Sequence, residues 1–431
     1  MSSDHRLDRR RFLQLAAGVG AISAIGLPRV AQAGPGGARP VGEWIAGDFH
    51  CHSTYSHDVW GGPDDDNTGY EEFYTHGHTP AEQILLAETR GLDFLSITDH
   101  NRVESLRDPG YASSALTLLP GYEHSHPGSD HCGVFLPSVD ALPGVIEAPN
   151  GIGPWLDEVH ARGGMAVINH PFSSNADEGE AIAWGVDLAE TLRFDAAEVW
   201  NTMWLTRYDT VEPADADNGL AVRWWEQTFG PTRRVPAVGG SDNHWKMLDG
   251  VAGVGQPTTW VYAADRSPAG IIAGVQAGRT TLSWQPPNVG GPRLLLDVVE
   301  EWSGRAAMIG GSVHGDGQLL AVVTAENAVG QVLRLVSGGE VVHETRVLTP
   351  SQRIEIPVVL PDGGWLRAEL LLQERYAVTA LTSCVYAEGR SPMQARREIS
   401  RGRPVSYDGF GFAGLPAPAG VQGLPACSCG H

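Results

Sequence analysis

No basic run interrupts the body of this 431-residue chain, which carries 30 Lys and Arg against 51 Asp and Glu, a formal net charge of −21. A nucleic-acid binder needs clustered Lys and Arg to neutralise phosphates, so no nucleic acid is expected as a partner and a small-molecule substrate is. The apolar stretch from Ala16 to Leu27 is too short to span a bilayer, for which a helix needs roughly 20 residues. Internal repeats and low-complexity tracts are missing as well. Cysteines number five, an odd count that cannot all pair. Cys51 and Cys132 adjoin histidines and, on strands, would point away from them as small buried hydrophobes. Cys427-x-Cys429 lies in the tail and carries no clear chemistry. What is present, 42% hydrophobic and 19% charged residues, describes a globular chain with a real core, long enough for two domains.

The one cluster of positive charge stands at the start. Arg9, Arg10 and Arg11 precede Phe12 and Leu13, then the Ala16–Leu27 apolar stretch, then the small residues of Ala31-Gln32-Ala33. A basic segment, an apolar segment and a cleavage site in that order read as a secretory leader over residues 1–33. Arg9-Arg10-x-Phe12-Leu13 resembles a twin-arginine export signal. The expectation is a periplasmic or secreted protein, exported folded, with no stable membrane insertion after cleavage.

Residues 34–44 form a linker, rich in Gly and Pro up to Pro40. From 45 to about 290, strand-like and helix-like segments alternate. Ile45–His52, Phe94–Thr98, Ala115–Glu123, Cys132–Leu136, Met165–Asn169, Ala196–Trp200 and Val235–Val238 read as strands. Pro80–Arg90, Trp155–Arg162, Ala181–Leu192 and Ala221–Phe229 read as helices. Such alternation implies an α/β fold with a parallel sheet, and this many units suggests a barrel. From 291 to 388 short alternating runs separated by Gly/Asp/Ser turns predict a small all-β sandwich. Residues 389–431 read as an extended tail.

Chemistry begins at Asp48-Phe49-His50-Cys51-His52. A His-x-His pair on a strand puts both imidazoles on one face, close enough to share a metal. Three such pairs exist, the others being His76/His78 and His124/His126, and the first stands out because it ends an apolar strand. Asp48, on the same face, is a candidate acceptor behind a ligand histidine. His76-Gly77-His78 sits in a polar loop and reads as surface. Four more apolar runs end in metal-competent groups: Ser96-Ile97-Thr98-Asp99-His100, Gly121-Tyr122-Glu123-His124, Ile168-Asn169-His170-Pro171 and Gly240-Ser241-Asp242-Asn243-His244. Five such endings at one mouth of a barrel imply a metal site.

In this order the motifs resemble the PHP (polymerase and histidinol phosphatase) family, over about residues 45–285, and within it most closely the carbaryl-hydrolase-like metallohydrolases. Val199-Trp200-Asn201 and Gly278-Arg279-Thr280 are softer signals of that subgroup. The resemblance implies a distorted (β/α)7 barrel followed by a small β-domain. It also implies metal ligands at His50, His52, His100, Glu123, His131, His170, Asp242 and His244, with Glu123 bridging two ions. Where the family has Asp, seven residues after the first histidine, this chain has His57 followed by Asp58, so either residue is a candidate for that position. Asp99 is expected to orient a histidine, and an acid for the leaving group is sought among His57, His124, His126 and a metal-bound water. Ser53 and Ser56 are expected to be turn or hydrogen-bonding residues, not nucleophiles. Two or three divalent ions, Zn, Mn or Fe, suit such mixed N/O donors. Cations of this kind acidify water enough to supply hydroxide at neutral pH. The leading function is a metal-dependent phosphoesterase acting on a small-molecule phosphate ester. The alternatives are hydrolysis of carbamate, ester or amide bonds, or a metal-containing binding protein without catalysis.

Overall fold

The computed structural model describes residues 40–56, 59, 77–125, 130–175, 180–201, 217–229, 233–246, 249, 253–315, 317–361, 363–372, 377–388 and 403–404. The leader, His57, Asp58, His76, His126, Cys427 and Cys429 lie outside the described residues.

The fold is mixed α/β with an additional antiparallel domain. Its first part is a ring of strands. In chain order these are β1 (Glu43–Asp48), β2 (Phe94–Leu95), β3 (Thr117–Leu118), β4 (Gly121–Ser125), β5 (His131–Phe135) and β6 (Met165–Ile168). A hairpin follows, β7 (Phe172–Asn175) with β8 (Glu180–Ala183), and then β9 (Ala196–Asn201) and β10 (Ala237–Gly240). One sheet has the order β10-β9-β6-β5-β4, while β1, β2 and β3 pair in parallel in another. Two single parallel bridges join them, His100 to Glu123 and Cys51 to Asn243. With β3 running on into β4, the circuit closes as a distorted barrel, and the distortion has two sources. Two junctions are single bridges, and β5 runs antiparallel to both neighbours.

The barrel is filled, not hollow. Ile45, Phe94, Leu119, Phe135, Val167, Ala196 and Val238 come from strands all round the ring and form one buried cluster. Phe49 sits edge-on to Phe94 and Phe135, with centroids at 4.9 and 5.3 Å. Gly47 makes this possible: a Cβ there would stand 2.3 Å from the Phe94 ring. Burying side chains of this size contributes roughly 1.5–3 kcal/mol each, which gives the ring a rigid floor beneath its mouth.

β11 (Thr258–Ala263) lies antiparallel to β1, and β12 (Thr280–Ser283) antiparallel to β11. Hydroxyls substitute for ladder bonds where these strands pass β10. Gly239 N donates to Thr259 Oγ1 and Thr259 Oγ1 to Gly239 O, both at 2.8 Å; Thr280 Oγ1 donates to Ala237 O at 2.7 Å. The helix between them, Pro268–Gln276, starts with Pro at the first turn, which has no N–H to satisfy, and with Ser267 as its cap, accepting from Gly270 N.

The C-terminal strands are β13 (Arg293–Glu300), β14 (Ala306–Met308), β15 (Ser312–His314), β16 (Leu319–Glu326), β17 (Val332–Ser337), β18 (Glu340–Arg346), β19 (Ser351–Val358), β20 (Trp365–Leu372), β21 (Ala377–Thr382) and β22 (Val385–Glu388). A four-stranded sheet, β14-β13-β16-β19, faces a sheet containing β18-β17-β20-β21. β13 alternates buried and half-buried residues along its whole length, the signature of a strand with one face in a core. Leu294, Leu296, Val323, Leu335 and Leu370 meet in that core. Because β21 also pairs with β12, the barrel sheet continues into the sandwich. In the tail, Arg403 and Pro404 add a two-residue strand to the edge of β18.

One expected helix is not there. Over Ala181–Leu192 the chain forms the strand β8 and then a single helical turn, Leu188–Thr191. Gly185 interrupts the pattern, and the Asp187 side chain caps a new helix by accepting from Ala189 N and Glu190 N at 2.9 and 3.2 Å. No helix among the described residues is long and apolar enough to cross a membrane.

Candidate metal centre

All the motif endings arrive at one mouth because parallel strands deliver their last residues to it. His50 and His52 follow β1, His100 follows β2, His170 follows β6, and Asp242 and His244 follow β10. His131 is the first residue of β5, and it reaches the same mouth because β5 runs the other way. The extensions beyond the strands are themselves tied together. Asp242 N donates to His50 O at 2.7 Å, His52 N to Asn243 O at 2.9 Å, Thr98 N to Cys51 O at 2.8 Å and Asn101 N to Glu123 O at 2.8 Å. Gln83, buried in the helix Pro80–Thr89, donates its amide to His52 O at 2.6 Å. Two of the residues expected to bind metal, His170 and Asp242, have φ of 24° and 51°. Left-handed backbone at two non-glycine residues stores strain, and here it occurs where donors must be aimed.

Glu123 is the centre of the arrangement. Its Oε2 lies 3.1 Å from His50 Nε2, 3.2 Å from His52 Nε2 and 3.3 Å from His100 Nδ1. Its Oε1 lies 3.2 Å from both His131 Nδ1 and His170 Nε2, and accepts from Asn169 Nδ2 at 2.9 Å. Asp242 Oδ1 approaches His52 and His50 Nε2 to 3.1 and 3.2 Å. The His244 ring stacks on His52 with centroids 3.9 Å apart. Three overlapping donor groups result: His50, His52, Glu123 and Asp242; His100, Glu123 and His131; and His52, His100 and His244. All of these residues are buried.

The donor set fits divalent ions. Buried imidazoles and carboxylates pack this closely only if something positive holds them, protons or metal. Asp242 Oδ1 is the telling atom, since it is buried and has no hydrogen-bond partner although two ring nitrogens lie near it. Its lone pairs and theirs converge on common space. Of the residues expected to bind metal, the structure thus brings together His50, His52, His100, Glu123, His131, His170, Asp242 and His244; His57 and Asp58 fall outside the described residues.

The groups that orient these ligands differ from expectation. Asp48 does not stand behind a histidine ring. Its carboxylate accepts Gly255 N at 2.7 Å, Ser241 N at 3.1 Å and His50 N at 3.0 Å, pinning three backbone segments. Asp99 likewise serves the backbone and a hydroxyl, receiving Ser53 N at 2.6 Å and Ser53 Oγ at 2.9 Å, because the turn after His52 carries Ser53 onto it. Behind His50 stands Glu198 instead, 2.8 Å from Nδ1. Ser56 Oγ is 3.1 Å from His52 Nδ1 and Ser125 Oγ 3.0 Å from His100 Nδ1, while His244 Nδ1 donates to the Asp242 carbonyl at 2.8 Å. His124, a candidate acid, alternates with Glu123 along β4 and so turns away from the cluster, stacking on Trp155 at 4.9 Å. His78 is not at the surface: it is buried, with Nε2 2.8 Å from Asp249.

Electrostatics follows from this packing. Burial pushes the His50 imidazole down, but Asp242, Glu123 and Glu198 outweigh it and hold the ring well above its ordinary value. Burial pushes Glu123 up, yet His50, His100 and His131 bring it well below the usual carboxylate range; Asp242 is lowered in the same way by His50, His52 and His244. In the metal-free protein the His50 contribution to stability is complete below about pH 6.5 and fades as pH rises through its raised folded value. The contributions of Glu123 and Asp242 are present above about pH 4 and fade as pH falls through their lowered values. At neutral pH a ligand imidazole therefore holds a proton that a divalent ion must displace. Adding Zn²⁺ to the metal-free protein should release about one proton or more per chain, with affinity rising with pH. Titration calorimetry in two buffers of different ionisation enthalpy reads this directly, and identical heats in both would contradict it.

No protein-family model and no curated protein matches the chain. Among solved structures it is similar to a two-domain protein from Bacteroides vulgatus ATCC 8482 containing a predicted PHP-like metal-dependent phosphoesterase, at 16% identity over 79% of this chain and 94% of that one, with a TM-score of 0.40. An amidohydrolase from Chromobacterium violaceum is similar at 17% identity over 48% of this chain and 90% of its own, with a TM-score of 0.28. At these scores neither assigns a role to any residue.

Proposed function

We propose that the protein is a metal-dependent hydrolase, and specifically a phosphoesterase acting on a small-molecule phosphate ester. The observation that carries this reading is the Glu123 carboxylate, whose two oxygens each face a different set of histidines. Such a carboxylate is placed to bridge two cations, and paired cations suit in-line displacement at phosphorus. Divalent ions bound there, Zn, Mn or Fe, would supply an acidified water and positive charge opposite the substrate's oxygens. The chain's own share is positional. Glu123 and Asp242 fix the charge of the site, and His50, His52, His100, His131, His170 and His244 present neutral nitrogens once deprotonated. Buried walls exclude bulk water, which strengthens each of these interactions.

The same donors would serve a carbaryl-hydrolase-like enzyme acting on carbamates, esters or amides, as the resemblance of the motifs implies. A panel of aryl phosphates, phosphodiesters and aryl carbamates presented to the metal-loaded protein separates the two. Turnover of phosphate esters is the expected result; turnover of carbamates alone would move the assignment, and no turnover on the panel would leave a metal-containing binding protein. We further propose export by the twin-arginine route, supported by the order of Arg9-Arg10-x-Phe12-Leu13, the apolar segment and Ala31-Gln32-Ala33.

A further inference from the structure

We propose that Glu198 and Asn201 are positioning residues that make His50, His52, Glu123 and Asp242 the place where the protein keeps its last metal ion; this rests on the metal-centre reading above. The partners seen behind the histidines are unequal. Ser56 stands behind His52 and a backbone carbonyl behind His244, whereas a carboxylate, that of Glu198, stands 2.8 Å behind His50. A negative charge on the far nitrogen of an imidazole makes the near nitrogen a stronger donor to metal. This donor group also contains two carboxylates, Glu123 and Asp242, where the others contain one or none.

Asn201 couples the two advantages. Its Nδ2 donates to Glu198 Oε1 and, at 3.1 Å, to Asp242 Oδ2. One amide therefore holds the carboxylate behind His50 and the ligand carboxylate in front of it. With Oδ2 engaged, Asp242 presents Oδ1, the atom without a hydrogen-bond partner that faces His50 and His52. Asn201 is fixed in turn through its backbone: its N donates to Asn218 Oδ1 at 2.9 Å and its O accepts from Asn218 Nδ2 at 3.0 Å. Glu198, Asn201 and Asn218 are 1%, 1% and 3% exposed, so water does not compete for these bonds. Gly240 completes the fit, because a Cβ there would stand 2.3 Å from His50 Cβ and 3.1 Å from Glu198 Oε2.

The test is metal retention. Protein loaded with Zn²⁺ is titrated with chelators of graded strength, and residual zinc per chain is measured by elemental analysis. In the unaltered protein one ion per chain should survive at chelator levels that remove the rest. Glu198→Gln, which keeps the shape and removes the charge, and Asn201→Ala should each weaken that last ion about 10- to 100-fold. Ser56→Ala, which removes a neutral partner, should weaken it by less than about 10-fold. Glu198→Gln leaving the last ion in place, or all ions leaving together from the unaltered protein, would overturn the proposal. If a variant does not fold, the release profile of the unaltered protein still decides between these outcomes. An unaltered protein that takes up no zinc would overturn the metal centre itself, a separate failure.

Discussion

Glu123→Gln should abolish most of the hydrolysis and most of the metal binding together, lowering kcat/KM by about 1,000-fold or more, equivalent to about 4 kcal/mol of transition-state stabilisation. Five ring nitrogens lie within 3.3 Å of this one carboxylate, three around Oε2 and two around Oε1. Replacing an oxygen by an amide removes the negative charge that offsets them and leaves one of the two atoms unable to bind a cation. Both donor groups that contain Glu123 should weaken, while the group of His52, His100 and His244 keeps its full set of nitrogens. Circular dichroism measured beside metal content and steady-state kinetics distinguishes this from a folding defect. A variant that retained its ions and turned over at the normal rate would show that Glu123 neither bridges nor binds.

The largest effect on stability is expected far from the site, at Arg367. This side chain is fully buried on β20, with Nε bonded to Glu226 of the helix Asp217–Thr228 and Nη1 2.8 Å from Glu369 Oε2. Arg334, also buried, lies 3.7 Å from Glu369 Oε1 and 3.0 Å from Glu344. The chain of charges links the barrel helix to the C-terminal sheet. Arg367→Met removes the cation shared by Glu226 and Glu369, and breaking a buried pair from one side costs about 3–5 kcal/mol. Arg367→Met combined with Glu226→Leu removes one of the two stranded carboxylates and should recover only part of that loss, because the buried Glu369 is left with Arg334 at 3.7 Å. Urea denaturation of the three proteins measures it. A loss below about 1 kcal/mol for the single variant would mean the pair is solvated after all.

These two cases mark what could be read from the amino-acid order. Most of the residues gathered at the mouth were legible because they end an apolar run with a short polar motif, and the barrel's topology turns sequence order into spatial convergence; His131, the first residue of β5, was reached only through the family resemblance. The fold class was legible for the same reason, from alternation up to about 290 and short strands after it. Glu198 was not, because it sits inside the buried strand Ala196–Asn201 with no motif of its own, and only the approach of His50 reveals its use. Same-face reasoning assigned Asp48 to a histidine ring, and the family resemblance did the same for Asp99, but nearby amides and Ser53 take the two carboxylates first. The Arg367–Glu226 pair spans 141 residues of sequence, a separation at which no local pattern exists. The helix expected over Ala181–Leu192 failed on a local signal that was present, Gly185 followed by the capping Asp187.

If Glu123 stands between metal ions, anomalous diffraction from crystals of the zinc-loaded protein should show them on either side of it. The prediction is a strong peak on each side of the Glu123 carboxylate, one among His50, His52 and Asp242 and one toward His131 and His170. A map with no peak at this mouth, or with zinc bound only elsewhere on the protein, would contradict it.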